Sequence, residues 1–334
     1  MNKKLLAAAV VAAVAASPAA FADSTVYGKL HTSVDYNDID VPDGMGGTDT
    51  IKNWTAESRS SRLGFKGSED LGDGLKAIYQ IEFGINSVGT NPANDGFTSQ
   101  RNTFVGLTGD WGTALVGRHD TPMKMAFYAS GNEVLGDSII DLNINQSIIG
   151  VFQEVRASNA IAYVSPNFSG FTVAAAMIPG EQSGIKSTSM GVVTNKNSLD
   201  GLADSYSLGA MYNGNGLKAS IGYEVIGEGT GASNRDDSET FQVGATYTMN
   251  NFRLGAEYQD ADNYATLKDQ DNQAWAVTGK ATFGNNAVGL VYTGSDSDPK
   301  GPGNDRSTEG WGVEGEHNFS KRTKVYAAYA WNKT

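Results

Sequence analysis

Apolar and polar residues alternate along most of this chain, in short runs that tight turns join into pairs. Every second residue of the segment 241–249 is apolar or aromatic, and the same alternation resumes at 252–259 after Asn250 and Asn251. A period of two places one set of side chains on each face of a β-strand. Because such pairs recur over 25–331, the chain is predicted to be all-β, with antiparallel strands.

The links between these strands sort into two kinds. The predicted strands are 25–36 alone and then the pairs 55–67 with 75–85, 99–108 with 113–119, 157–165 with 171–177, 204–212 with 217–226, 239–249 with 252–259, 273–283 with 287–294, and 308–318 with 324–331. Links within a pair are short and rich in Asn and Gly. Links between pairs are long and polar: 37–54, 86–98, 121–156, 178–203, 227–238, 260–272 and 295–307. This asymmetry is typical of a transmembrane β-barrel of an outer membrane.

The first 22 residues have the features of a cleaved export signal. Lys3 and Lys4 precede an apolar run at 5–16, and Ala20 and Ala22 flank a small-residue cleavage site. The apolar run is shorter than the roughly 20 residues that a membrane-spanning helix needs. We therefore expect the mature chain to begin at Asp23 and to reach the cell outer membrane by export.

Composition excludes several classes of function. Without the signal, 23 Lys and Arg face 37 Asp and Glu, a net charge of −14, which argues against nucleic acid as a partner. The chain has no Cys, and it has neither a G-x-S-x-G motif nor an H-E-x-x-H motif around its histidines, which are His31, His119 and His317. We therefore predict no catalytic residues, no metal site and no cofactor.

The size of the predicted barrel indicates a water-filled channel. Strands of about 9–11 residues, with their loops, fill the chain at about sixteen, and barrels of that size leave an aqueous lumen. The side chains predicted to point inward are mostly charged: Lys29, Lys76, Gln80, Glu82, Lys218, Glu224, Arg253, Glu257, Lys280, Glu314 and Glu316. A dry core would not accept so many charges.

Three segments resemble the general (non-specific) trimeric porins of Gram-negative bacteria. They are VYGKL at 26–30, SRLGFKGSEDLGDGLKAIYQIEF at 61–83 and RNTFVGLTGDWGTALVGRHDTP at 101–122. The resemblance implies a sixteen-stranded antiparallel barrel that passes small hydrophilic solutes and ions by passive diffusion. It also implies a homotrimer, contact with outer-membrane lipid and lipopolysaccharide, and a constriction loop, here about 121–156, that folds into the barrel.

The resemblance also implies where the channel narrows. Its basic wall falls on Lys29, Arg62, Arg101 and Arg156, with Arg118 in the same region, and its loop acids fall among Glu133, Asp137 and Asp141. Opposed charges across a narrow aqueous gap create a transverse field and bias which ions pass. The net charge favours cations at the mouth and the basic wall favours anions at the neck, and from the sequence we expect a mild cation preference.

Other readings of the sequence remain open. A substrate-specific outer-membrane channel is the nearest alternative, although an inward aromatic track is not evident in the sequence. An outer-membrane enzyme on a barrel and a secreted β-rich adhesin are more remote. Acidic pairs in the loops, such as Asp236 with Asp237, could bind divalent cations that bridge lipopolysaccharide, or could be solvated surface charge.

The number of predicted strands is odd. One strand and seven pairs make fifteen, whereas single-chain bacterial barrels have an even number. From the sequence we therefore expect the porin domain at 23–334 to be C-terminally incomplete and to lack its last strand. An unpaired strand edge in lipid leaves backbone groups unsatisfied, at several kcal/mol each.

Overall fold

The computed structural model describes residues 24–42, 47–89, 96–180, 187–189, 192–194, 201–227, 236–264, 267–299 and 305–333. The predicted signal at 1–22 lies outside them. Contacts between Cα atoms divide the chain into two compact units, residues 1–109 and 110–334. Nearly all regular structure in both units is antiparallel strand, which confirms the predicted fold class.

The first unit contains six strands. They are β1 (Thr25–Lys29), β2 (Thr32–Pro42), β3 (Thr48–Ser58), β4 (Arg62–Gly72), β5 (Leu75–Ile85) and β6 (Phe97–Gly109). Strands β1, β4, β5 and β6 are neighbours in that order, and β2 pairs with β3 as a separate hairpin. The turn between β4 and β5 has positive φ at Gly72, Asp73 and Gly74, which suits glycine and short polar residues.

The prediction of a loop at 37–54 was wrong, because most of it is β2 and β3. Asp and Asn residues made the segment resemble a loop. Cross-strand pairs hold it extended: Tyr36 packs on Trp54 with ring centroids 5.2 Å apart, and Lys52 pairs with Asp38 at 3.0 Å. The single predicted strand at 25–36 is likewise divided into β1 and β2.

The described residues of the second unit contain the remaining strands and one helix. These are β7 (Gly112–Asp120), α1 (Pro122–Ser130), β8 (Arg156–Val164), β9 (Phe171–Ile178), β10 (Ser187–Ser189), β11 (Val192–Thr194), β12 (Ser205–Gly214), β13 (Leu217–Ile226), β14 (Ser238–Met249), β15 (Phe252–Asp262), β16 (Gln270–Phe283), β17 (Asn286–Pro299), β18 (Arg306–Ser320) and β19 (Thr323–Lys333). Each strand from β12 onward pairs with the next, and β9 pairs with β12, while β10 and β11 form a short hairpin inside the predicted loop 178–203.

The strands of the second unit bury polar side chains on one face and expose apolar side chains on the other, the opposite of a soluble β-protein. On one face Glu257 is only 2% exposed, and Glu224, Gln242, Gln259 and Glu314 are equally buried. On the opposite face apolar side chains are open, with Leu254 69% exposed; Leu208, Ile221, Val243, Val277 and Leu290 follow the same pattern. Strands with this pattern suit a protein with lipid on one side and polar material on the other.

The segment 121–155 covers the polar face. Its apolar residues form a small core with wall residues of β16 and β17: Phe127, Val134, Leu135, Ile140, Leu142, Ile149, Val151 and Phe152 pack with Ala274, Ala276 and Val291. The predicted constriction loop is thus a folded element with its own core. No helix in the described part of the chain is long and apolar enough to cross a membrane.

Candidate functional site

Three of the predicted wall residues lie together on the first unit. Lys29 and Arg62 are direct partners across β1 and β4, two positions from Tyr27 along the same strand face. Arg101 of β6 donates from Nε to Glu82 Oε1 at 2.5 Å, and the Tyr27 hydroxyl donates to Glu82 Oε2 at 2.9 Å. Arg62 and Arg101 both act electrostatically on Tyr27. We call Lys29, Arg62 and Arg101 the basic cluster; Arg101 is paired with the buried Glu82 carboxylate, a pairing that the sequence did not reveal.

The other two predicted wall residues lie on the second unit, at the entry and exit of the loop. Arg156 contacts Asp120 Oδ1 at 2.9 Å, and the Arg118 guanidinium donates to Ser158 Oγ at 2.6 Å. The charge of Arg156 also acts on Arg118. Because Asp120 ends β7 and Arg156 begins β8, their ion pair closes the base of the loop.

Lys124 continues this row of charges into the loop. Its Nζ lies 3.5 Å from Asp120 and 3.3 Å from Glu154, and Glu154 also accepts from the Tyr128 hydroxyl at 2.8 Å. Asp120 ends β7 and Lys124 lies in the first turn of α1, so the ion pair spans the junction between the strand and the helix. Sequence reasoning treated this segment as irregular loop and so missed Lys124 and Glu154.

The helix α1 is set by signals that the sequence does contain. Thr121 caps it by accepting from the Lys124 amide at 3.3 Å, and Pro122 occupies the first helical position. Gly131 ends it with φ of 79°, in the left-handed region. A Thr-Pro start and a Gly stop nine residues later would have indicated the helix.

The predicted loop acids shape the loop itself. Asp141 is 2% exposed and accepts backbone amides from Asp137 at 2.5 Å and from Asn143 at 2.7 Å. Glu133 accepts the Leu142 amide at 3.0 Å, and its second oxygen has no hydrogen-bond partner among the described residues. Glu133, Asp137 and Asp141 are thus brought together, and Asp141 is turned into its own loop.

Burial and mutual repulsion favour the neutral forms of these acids. Burial raises the pKa of Asp141 to about 7, and the Glu154 and Asp137 charges add to the effect. Burial also raises the pKa of Glu133 well above its usual range, with further contributions from Asp141 and Glu154. The folded loop therefore favours the neutral forms of Asp141 and Glu133.

The loop approaches the wall most closely at glycines. A Cβ on Gly209 would lie 2.5 Å from the Pro122 carbonyl oxygen, and one on Gly222 would lie 2.6 Å from Met123 Cγ. Basic wall residues then hold the loop backbone: Arg253 donates to the Glu133 carbonyl and Lys280 to the Val134 carbonyl, each at 3.0 Å. Sequence reasoning placed Arg253 and Lys280 on this face without their loop partners.

Comparisons with known proteins identify the family of the chain. The family model described as Gram-negative porin matches residues 7–334. The major outer membrane protein P.IB of Neisseria gonorrhoeae is 28% identical, covering 98% of this chain and 93% of its own.

Solved structures show the same fold. An anion-selective porin from Comamonas acidovorans has a TM-score of 0.68 at 23% identity, covering 93% of this chain and 88% of its own. The trimer form of OmpT, an outer membrane protein of Vibrio cholerae, has a TM-score of 0.63 at 18% identity, covering 93% and 89%. From its family match and its fold, this chain is an outer-membrane channel protein that belongs to the Gram-negative porin family.

Proposed function

We propose that this porin is a general diffusion channel for small hydrophilic solutes and ions, narrowed by the segment 121–155. The observation that carries the proposal is the polar face of the second unit, which buries Glu257 and Gln259 beneath that segment while Leu254 on the opposite face stays open. A loop folded over a polar wall narrows an aqueous path but does not fill it with apolar side chains.

The size dependence of solute flux tests this proposal. Purified protein in liposomes should admit sugars at rates that fall steadily with solute size and rise in proportion to concentration. Saturable flux of one sugar, at a rate out of line with its size, would instead support a substrate-specific channel. Hydrolytic activity in the same preparation would support the enzyme alternative.

We propose that the basic wall residues and the loop acids tune which ions pass. Lys29, Arg62, Arg101, Arg118 and Arg156 are the wall residues, and Glu133, Asp137 and Asp141 are the loop acids. Asp141 bonds its own loop amides, so its charge acts at a distance from inside the loop. Because arginine and lysine keep their charge while burial favours the neutral form of Asp141, we expect an anion preference, in place of the mild cation preference expected from net charge.

The functional unit is proposed to be a homotrimer in contact with outer-membrane lipid and lipopolysaccharide. Support for the trimer comes from family membership and from the fold shared with the trimer form of OmpT. Mass measurement of the detergent-extracted protein should give three copies. A stable monomer that conducts equally well would contradict this part of the proposal.

The segment 1–22 is proposed to be removed on export, leaving the porin domain from residue 23. The small residues Ala20 and Ala22 at the cleavage site support this. N-terminal sequencing of protein extracted from the outer membrane should begin at Asp23, and a sequence that begins at Met1 would contradict cleavage.

A further inference from the structure

A row of buried polar side chains crosses the wall of the second unit beneath the loop. Gln242 of β14 lies directly opposite Gln259 of β15, and Glu257 lies two positions before Gln259 on the same strand face. All three side chains are at most 2% exposed. Buried groups of this polarity are stable only when their hydrogen bonds are satisfied, so their partners define what the row does.

One end of the row holds the exit of the loop. The Gln153 amide donates to Gln259 Oε1 at 2.9 Å, and Gln259 Nε2 donates to the Gln153 carbonyl at 3.1 Å. The side-chain amide thus pairs with the loop backbone as a neighbouring strand would. Gln259 Nε2 also donates to Gln242 Oε1 at 3.0 Å, which fixes the orientation of the second amide.

The other end of the row holds the loop just after α1. Gln242 Nε2 donates to Glu257 Oε1 at 2.9 Å, and Asn132 Nδ2 donates to Glu257 Oε2 at 2.7 Å. Asn132 is fully buried; it also donates to the Ala256 carbonyl at 2.9 Å and accepts from Thr278 Oγ1 at 2.9 Å.

The row is therefore one continuous chain of hydrogen bonds in which the donors on both sides point toward Glu257. It runs from Gln153 through Gln259, Gln242 and Glu257 to Asn132, and each donor meets an acceptor. Its two ends lie 21 residues apart in the sequence but are joined through the wall. Nothing in the loop's own packing requires this connection.

We propose that Gln242, Glu257 and Gln259 are positioning residues that clamp the constriction loop at two points, at its exit and just after α1, and keep the channel continuously open. This inference rests on the proposal that the loop narrows the channel. If the clamp is intact, the loop stays on the wall and the current through one channel is steady. If the clamp is broken, the loop lifts from the wall on the microsecond-to-second timescale of lid opening and local unfolding, and the current is interrupted.

Because both neighbours of Glu257 donate hydrogen bonds to it, the substitution Glu257→Gln tests the chain directly. The new amide presents one acceptor and one donor where two acceptors stood, so a donor faces a donor at Gln242 or at Asn132. Flipping Gln242 moves the mismatch to Gln259, and flipping Gln259 moves it to the Gln153 amide. Flipping Asn132 places its oxygen against the Ala256 carbonyl. The mismatch can be moved along the chain but not removed.

The exchange Gln242→Glu with Glu257→Gln removes the mismatch. The carboxylate at 242 accepts from Gln259 and from the amide at 257, and the amide oxygen at 257 accepts from Asn132. The double variant has the composition and charge of the wild type and the same number of hydrogen bonds. Comparing the double variant with Glu257→Gln therefore shows whether the closures come from the broken hydrogen-bond pattern or from the loss of the carboxylate at 257.

Single-channel recording in planar bilayers is the experiment. Glu257→Gln should raise the frequency of brief closures at least tenfold, and the double variant should return it to within twofold of wild type. Ser220→Ala is the control, because this buried hydroxyl on β13 has no hydrogen-bond partner among the described residues. It should leave the closure frequency unchanged.

Two outcomes would overturn the inference: a Glu257→Gln channel as quiet as wild type, or a double variant as noisy as the single one. If Glu257→Gln fails to assemble, Thr278→Val replaces it, since it removes only the last bond of the chain. More closures support the clamp and unchanged current overturns it. A wild-type protein without channel activity would instead contradict the proposed function.

Discussion

At the scale of single residues, we expect the loop acids to make the channel sensitive to pH. The folded-state pKa of Asp141 is raised from 3.8 to about 7, so the folded loop favours the neutral acid. The cost of burying its charge is complete above about pH 7, decreases as the pH falls below 7, and is fully relieved only below the unfolded-state pKa of 3.8. The surrounding charges are Glu133, Asp137 and Glu154, and Lys124 lies beside Glu154.

Lowering the pH from 8 to 6 should therefore shift the reversal potential under a salt gradient toward anions and raise the thermal stability of the loop. Glu133→Gln should weaken this dependence, since its amide oxygen can still accept from Leu142 while one acid is removed. A reversal potential that is constant between pH 8 and 6 would show that these acids do not influence permeating ions.

Arg101 offers a second test at this scale. Arg101→Gln removes one positive charge from the basic cluster, and a unit charge at roughly 8 Å in water is worth about 0.5 kcal/mol. The ratio of anion to cation permeability should fall about twofold. Tyr27→Phe is the control, because it removes a donor to Glu82 without changing charge. An equal shift in both variants would assign the effect to structure rather than charge.

At the scale of elements, alternation was sufficient to locate most strands but not the structure between them. The runs at 75–85 and 217–226 match β5 and β13 end for end. The hairpin of β2 and β3 is polar, and only cross-strand pairs such as Tyr36 with Trp54 reveal it. The clamp was equally hidden, because Asn132 and Glu257 become partners only through the fold.

A prediction at the scale of elements concerns how the loop packs on the wall at Gly209. Gly209→Ala would place a methyl 2.5 Å from the Pro122 carbonyl oxygen, and backbone there cannot yield as a flexible side chain can. We expect α1 to be displaced, a loss of about 1–3 kcal/mol in unfolding free energy, and an altered conductance. Gly315→Ala is the matched control, since a Cβ there meets nothing within 4 Å. Equal losses of stability in the two variants would show that the contact between Gly209 and the loop is not the cause.

At the scale of the whole molecule, the placement of polar and apolar residues identifies the class of protein, whereas the overall composition does not. A net charge of −12 over 334 residues and 40% hydrophobic content describe an ordinary soluble protein. Only the placement of these residues, with Leu254 open and Glu257 covered, identifies a protein that faces lipid and encloses polar material. The basic residues could be assigned to a wall from family resemblance, whereas their partners Glu82 and Asp120 required the strand register and the loop.

Single-channel conductance as a function of salt concentration tests the central claim most directly, that this porin encloses an aqueous path narrowed by a seated loop. The wild-type protein in a planar bilayer should show discrete, long-lived current steps whose size rises nearly in proportion to salt concentration and is linear in voltage near zero. Conductance that saturates at millimolar salt, or membranes that stay silent with correctly folded protein, would contradict a water-filled diffusion channel.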